Sequence, residues 1–187
     1  MKSRIFSIGL CLVFCMLSGC GTVPVPGEKN AVLSNISAEY FSIAEAYKKL
    51  GNYEKAASYY EKVIDSEAFG GPALYEIAVC NVHLKEWDKA SRFFESLLLR
   101  DPQNTSVKLS LAYIEAQRGN LEEAESLYRT LSCENPDSAE PLKNLVIVLL
   151  SRKKYEEAKD SFSLLKERFP DEESVPVIQK ELDGLSQ

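Results

Sequence analysis

Along most of the chain, apolar positions recur with two periods at once. Locally they return every three or four residues, as one face of a helix requires, and the whole arrangement repeats every 34 residues. Ala56, Ala90, Ala124 and Ala158 form one column of this register, and the aromatic residues Tyr60, Phe94, Tyr128 and Phe162 form another. Val63, Leu97, Leu131 and Leu165 make a third column, Ile43, Ile77, Leu111 and Leu145 a fourth, and Ala44, Ala78, Ala112 and Val146 a fifth. Each unit reads as an apolar helix, a short turn, a second apolar helix and a stop. In the turns, Gly51 and Gly119 supply the positive φ that ends a helix at little cost, and Lys85 and Lys153 occupy the same place in the other two units. Tyr53, Trp87, Leu121 and Tyr155 open the second helices. Pro102, Pro136 and Pro170 mark where those helices have ended, because proline breaks a helix interior. Alanine recurs where two antiparallel helices cross closely, and a larger side chain there would overpack by about 1–3 kcal/mol.

Taken together, these columns resemble the tetratricopeptide repeat, a helix-turn-helix unit that stacks side by side into a right-handed superhelix. The resemblance implies an all-α fold, an α-solenoid of four repeats at about 37–70, 71–104, 105–138 and 139–170. The first unit departs from the pattern, ending in Glu67-Ala68-Phe69-Gly70-Gly71-Pro72 instead of a clean Asp-Pro stop. After Pro170, Val175, Ile178, Leu182 and Leu185 again return every three or four residues. Residues 171–187 therefore read as a capping helix and tail over the last exposed core face.

The N-terminus has a different composition. Lys2 and Arg4 precede an uncharged apolar run from Ile5 to Leu17, shorter than the roughly 20 residues a membrane-crossing helix needs. It fits the apolar region of an export signal over residues 1–19. Leu17-Ser18-Gly19-Cys20 resembles the lipobox of bacterial lipoproteins, which implies that Cys20 carries a diacylglyceryl thioether and becomes the mature N-terminus. Two or more acyl chains give stable membrane anchoring where one gives only marginal binding. Gly21 at the next position, by resemblance to enterobacterial lipoproteins, favours the outer membrane, with the repeats in the periplasm. The segment 20–36, with Pro24, Pro26, Gly21 and Gly27 near its start, is expected to be a flexible tether.

Charge and composition narrow the chemistry. The chain carries a formal charge of −6, and removing the signal with its two bases makes the remainder more acidic. A nucleic-acid partner is not expected, since no basic stripe is present to neutralise phosphates. His83 is the only histidine and has no ligand set around it in sequence, so no metal site, cofactor or catalytic residue is expected. Beyond residue 20 only Cys80 and Cys133 remain, far apart and within helical patterns, and no disulfide is assigned. The acids Glu122, Glu123, Glu125, Glu156 and Glu157 fall at the starts of second helices, where carboxylates complement the helix dipole.

The family resemblance implies that the first helix of each unit lines a concave groove. Register then selects Phe41, Tyr75, Val79, Val82, Leu109, Tyr113, Ile147 and Leu150 as partner-binding residues. The Lys/Asn pairs that clamp a peptide carboxylate in chaperone-binding members are missing, with Phe41 and Glu45 at those places in the first unit. An apolar groove suits a hydrophobic protein segment held by a few aromatic anchors. The expected function is that of a lipid-anchored, non-enzymatic protein-interaction scaffold of the cell envelope, of the outer-membrane or pilus assembly type. The alternative is a small hydrophobic-ligand-binding accessory of an envelope transport system.

Overall fold

The structure is a computed structural model that describes residues 28–185. The signal segment, Cys20 and the tether up to Gly27 lie outside the described residues. The chain divides into two units, residues 1–36 and 37–187. Nine helices make up the described residues: α1 Glu28–Lys49, α2 Tyr53–Glu61, α3 Gly70–His83, α4 Trp87–Arg100, α5 Thr105–Arg118, α6 Leu121–Glu134, α7 Ala139–Ser151, α8 Tyr155–Arg168 and α9 Val175–Gly184. No strand occurs among the described residues.

The described part of the first unit is helical, since α1 begins at Glu28, inside the stretch expected to be tether. Past Gly27 there is neither glycine nor proline until Gly51, so nothing in the sequence interrupts the helix. In the second unit α3 pairs with α4, α5 with α6 and α7 with α8 as hairpins, α1 packs on α2 through Ala44, Ala56 and Tyr60, and each hairpin packs on the next through its second helix. The last helix, α9, lays Val175, Ile178 and Leu182 into the same buried cluster as Phe162 and Leu165, closing the final core face.

All four intra-hairpin turns share one geometry. Gly51, Lys85, Gly119 and Lys153 have φ of 73°, 59°, 86° and 60°. In each case this residue donates its N–H three residues back, and the following residue donates five back, as with Gly119 to Ala116 and Asn120 to Glu115. Two of the turns thus hold a lysine in a conformation that costs an L-residue about 1–2 kcal/mol. Allowing for the greater entropy that glycine loses on folding, Lys153→Gly raises stability by about 0.5–1 kcal/mol, read as a higher urea midpoint at unchanged m-value.

The second helices also stop alike. Asp101, Asn135 and Phe169 each donate a backbone N–H to the carbonyl of Leu97, Leu131 and Leu165, and Pro102, Pro136 and Pro170 lie just beyond. The first hairpin differs, because α2 has 9 residues where α4, α6 and α8 have 14. The chain then turns back so tightly that a Cβ on Gly70 would lie 2.4 Å from the Ile64 carbonyl oxygen, whereas one on Gly71 would meet open space. That contact accounts for the glycine at position 70 in the irregular stretch between the first and second units. Tyr40, Tyr47 and Tyr59 pack beside the shortened helix, with Tyr47 stacked on Tyr59 at 5.4 Å and Lys62 lying over the rings of Tyr40 and Tyr59.

The alanine column is wholly buried, at 0% exposure for Ala56, Ala90, Ala124 and Ala158. Tyr60, Phe94, Tyr128 and Phe162 are buried between hairpins. The apolar interior is not one spine, however. It falls into three clusters, and the division between two of them passes through α5, with Val107 and Ile114 on one side and Leu109 and Ala112 on the other.

Candidate functional site

The first helices bring the register-selected residues into lines across the hairpins. Val79, Tyr113 and Ile147 occupy one position in three consecutive units, 34 residues apart, and Glu45 holds it in the first. Tyr113 is 42% exposed and Ile147 47%, although both are large apolar side chains on well-packed helices. Val79 is half-buried. Val79 packs against the same cluster as Tyr75 and Val82, so Tyr113 and Ile147 are the members of the selected set that are free to meet a partner.

The other selected residues are divided between surface and core. Phe41 is half-buried, edge-on to Tyr60 at 5.2 Å and against Phe69 at 5.3 Å. Tyr75 stands edge-on to Phe94 at 5.6 Å, and Val82 packs beside the same cluster. Leu109 and Leu150 are buried in the core shared by the third and fourth hairpins. Register assigned these two to the groove, but their side chains are taken up by packing because each points toward a neighbouring helix rather than away from it.

Charged networks bound the stripe at both ends. In the first hairpin the Tyr60 hydroxyl donates to Glu45, Lys48 Nζ lies 2.9 Å from Glu45 Oε1, and the same ammonium reaches Glu76 Oε2 at 2.7 Å on α3. Burial works against the charge on Glu45, but the hydrogen bonds from Tyr60 and Lys48 outweigh it and hold its pKa below the ordinary 4.5. Burial, reinforced by the carboxylate of Glu45, pushes the Tyr60 phenol above its ordinary range. Cys80 sits near this group, buried, and desolvation together with the charge of Glu76 pushes its thiol up to about 11. At the other end Lys143 pairs with Glu172 at 3.2 Å. Lys48–Glu76 joins the first hairpin to the second, and Lys143–Glu172 joins the fourth hairpin to the segment that leads into α9.

Glu125, read from sequence as a helix-dipole residue, is buried, at 6% exposure. Glu122 and Glu123 do lie in the first turn of α6. Three cations converge on the Glu125 carboxylate: Arg152 at 2.5 Å, Lys154 at 3.0 Å and Arg129 at 3.0 Å. Arg129 also pairs with Glu157. Sequence alone groups this glutamate with Glu122 and Glu123, and its burial follows from the cations that the next hairpin brings to it.

His83, exposed at the end of α3, stacks on the Tyr53 ring with centroids 4.1 Å apart and planes 4° from parallel. Cys80 and Cys133 are both free thiols, one buried and one exposed. Among the described residues no group of three or more His, Cys, Asp or Glu side chains is placed to hold a metal ion. No helix among them is long and apolar enough to cross a membrane.

An α-solenoid of stacked hairpins with an exposed stripe across its first helices defines a class of repeat proteins. The chain belongs to the tetratricopeptide repeat family, whose model matches residues 45–114 and 115–175. No curated protein sequence matches it. Among solved structures it is similar to MamA from strain AMB-1, at 21% identity and a TM-score of 0.58, over 80% of this chain and 84% of that one. It is also similar to MamA from Desulfovibrio magneticus RS-1, at 14% identity and a TM-score of 0.63, over 79% and 85% of the two chains. A thermophilic TPR protein from Thermus thermophilus matches at 19% identity and a TM-score of 0.61, over 78% and 80%. At these identities the likeness is one of fold. Proteins of this family generally mediate protein–protein interaction and are typically non-enzymatic scaffolds.

Proposed function

We propose that this protein is a lipid-anchored scaffold of the bacterial cell envelope that presents its first-helix stripe to an apolar segment of another envelope protein. The observation that carries the reading is the exposure of Tyr113 and Ile147 at one register position, in line with Val79. Two large apolar side chains left in water at matched positions serve as anchors more readily than as core. The anchoring part rests on the basic, apolar N-terminus and on Leu17-Ser18-Gly19-Cys20, which support acylation at Cys20, and on Gly21, which supports retention at the outer membrane with the repeats in the periplasm.

Tyr113→Ala/Ile147→Ala tests the stripe, because both side chains are exposed and their truncation spares the core. Pull-downs from detergent-solubilised envelopes are expected to lose at least one partner with this variant while the urea midpoint stays within the error of wild type. An unchanged partner list would remove the stripe from the function. Metabolic labelling with a radioactive fatty acid checks the anchor separately: label is expected on wild type and absent from Cys20→Ser, and an unlabelled wild type would refute acylation.

A further inference from the structure

The second and third hairpins meet less tightly than the others, and the reason is visible in register. On α5, Lys108 and Glu115 take the positions held by Leu74 and Asn81 on α3, and by Leu142 and Leu149 on α7, all four of which are buried. Lys108 and Glu115 are instead turned to ion pairs with Glu134 and Arg118, with side chains 26% and 15% exposed, and so do not fill the interior as the leucines do. Leu127 likewise stands where the second hairpin has the bulkier Phe93. The consequence is an open groove of about 400 Å³ between α4, α5 and α6, with Leu98, Leu111 and Leu127 along its base. Leu111 is only half-buried there, whereas Ile77 and Leu145, its counterparts in the adjoining hairpins, are 1% and 3% exposed; Ile43 in the first hairpin is 39% exposed.

The rim of this groove is acidic. Glu95, Glu115, Glu123 and Glu134 surround it, with Lys108 as the one cation among the residues that line it. Glu115 is held by Arg118 at 2.7 Å and Glu134 by Lys108 at 3.4 Å. Glu95 and Glu123 form none of the ion pairs described among residues 28–185, so their charges face whatever enters. Apolar floor and uncompensated negative rim together specify the chemistry of an occupant: leucine-like side chains on one face, flanked by lysine or arginine.

We infer that this groove is a second docking surface, separate from the first-helix stripe, and that it takes a basic amphipathic helical segment of a partner protein. Such a helix lays its apolar face on Leu98, Leu111 and Leu127 and its cations against Glu95 and Glu123. The charges set selectivity and association rate, and the apolar contact supplies retention. The groove shares no lining residue with the stripe, so one chain holds two partners at once.

The test uses the full chain in non-ionic detergent and a fluorescein-labelled helical peptide of alternating leucine and lysine pairs, followed by fluorescence anisotropy with the detergent background subtracted. Wild type is expected to bind it, to prefer it over the matching leucine/glutamate peptide, and to weaken in high salt. Glu95→Lys/Glu123→Lys is expected to weaken binding by about tenfold. Glu54→Lys/Glu61→Lys makes the same change in net charge at two exposed positions of the first hairpin and should leave binding within about twofold. Leu98→Ala should weaken it several-fold. Equal loss in both charge-reversal variants, no preference between the two peptides, or no binding by wild type would each overturn the inference. Loss in Tyr113→Ala/Ile147→Ala instead would place the peptide on the stripe, refuting the second surface while leaving the proposed scaffold function intact.

Discussion

Glu125→Gln lowers the stability of the folded chain by about 2 kcal/mol at neutral pH, and the deficit shrinks in acid. The magnitude lies between the 3–5 kcal/mol lost when a buried ion is orphaned and the fraction of a kcal/mol typical of exposed pairs. It is intermediate because the carboxylate is buried while Arg152, Lys154 and Arg129 are about a fifth to two-fifths exposed, at 22%, 34% and 43%. Removing the negative charge leaves three cations facing one another around a neutral amide. Burial raises the Glu125 pKa, but the hydrogen bonds from Lys154, Arg129 and Arg152 prevail and hold it below the ordinary 4.5. A carboxylate with a depressed folded pKa contributes stability that is complete above its unfolded pKa and is lost as pH falls through the folded value. Urea unfolding of wild type and variant from pH 7 to pH 3 should therefore show a gap that is full above pH 4.5 and narrows below it. A gap independent of pH would mean that Glu125 acts through packing and not through charge.

Gly70→Ala costs about 2–3 kcal/mol, while Gly71→Ala, one residue on, changes stability little or raises it. Both glycines open the same helix, so helix propensity cannot separate them. The difference arises from the single close approach at Gly70, where an added methyl meets the backbone oxygen of Ile64 at 2.4 Å and a backbone atom cannot rotate away. Relief requires the loop 62–69 to shift, and that loop carries Phe69, which packs on Phe41 at the edge of the first cluster. The pair is measured by urea denaturation of the two variants side by side. Equal effects would show that the α2–α3 connection is looser than the structure has it.

The helical architecture was legible because its signal is repeated. One alanine column states that two helices touch; four alanines at equal spacing, in step with aromatic, aliphatic and proline columns, leave no other arrangement. The lysines in two turns did not obscure this, since a helix end can force a left-handed φ on lysine at a tolerable cost. Less was legible in the site. Register places Leu109, Tyr113, Ile147 and Leu150 on first helices, yet it does not say how far a neighbour reaches over each, and two of the four are covered.

Glu125 and the α5 groove exceeded what the pattern could show, for related reasons. A glutamate beside other glutamates carries no mark of burial until Arg152 and Lys154 arrive from the next hairpin, 27 and 29 residues away. Lys108 and Glu115 likewise read as ordinary polar residues of an amphipathic helix, and the space they leave unfilled exists only once α4 and α6 stand on either side. Sequence by itself determined the repeat length, the turns within the hairpins and the buried alanine and aromatic columns, because those depend on contacts within a hairpin or between equivalent positions. Tertiary structure alone decided which exposed-looking charges are enclosed, which apolar residues remain in water and where adjacent hairpins fail to close, because each of these depends on the side chains that a neighbouring unit brings across the gap.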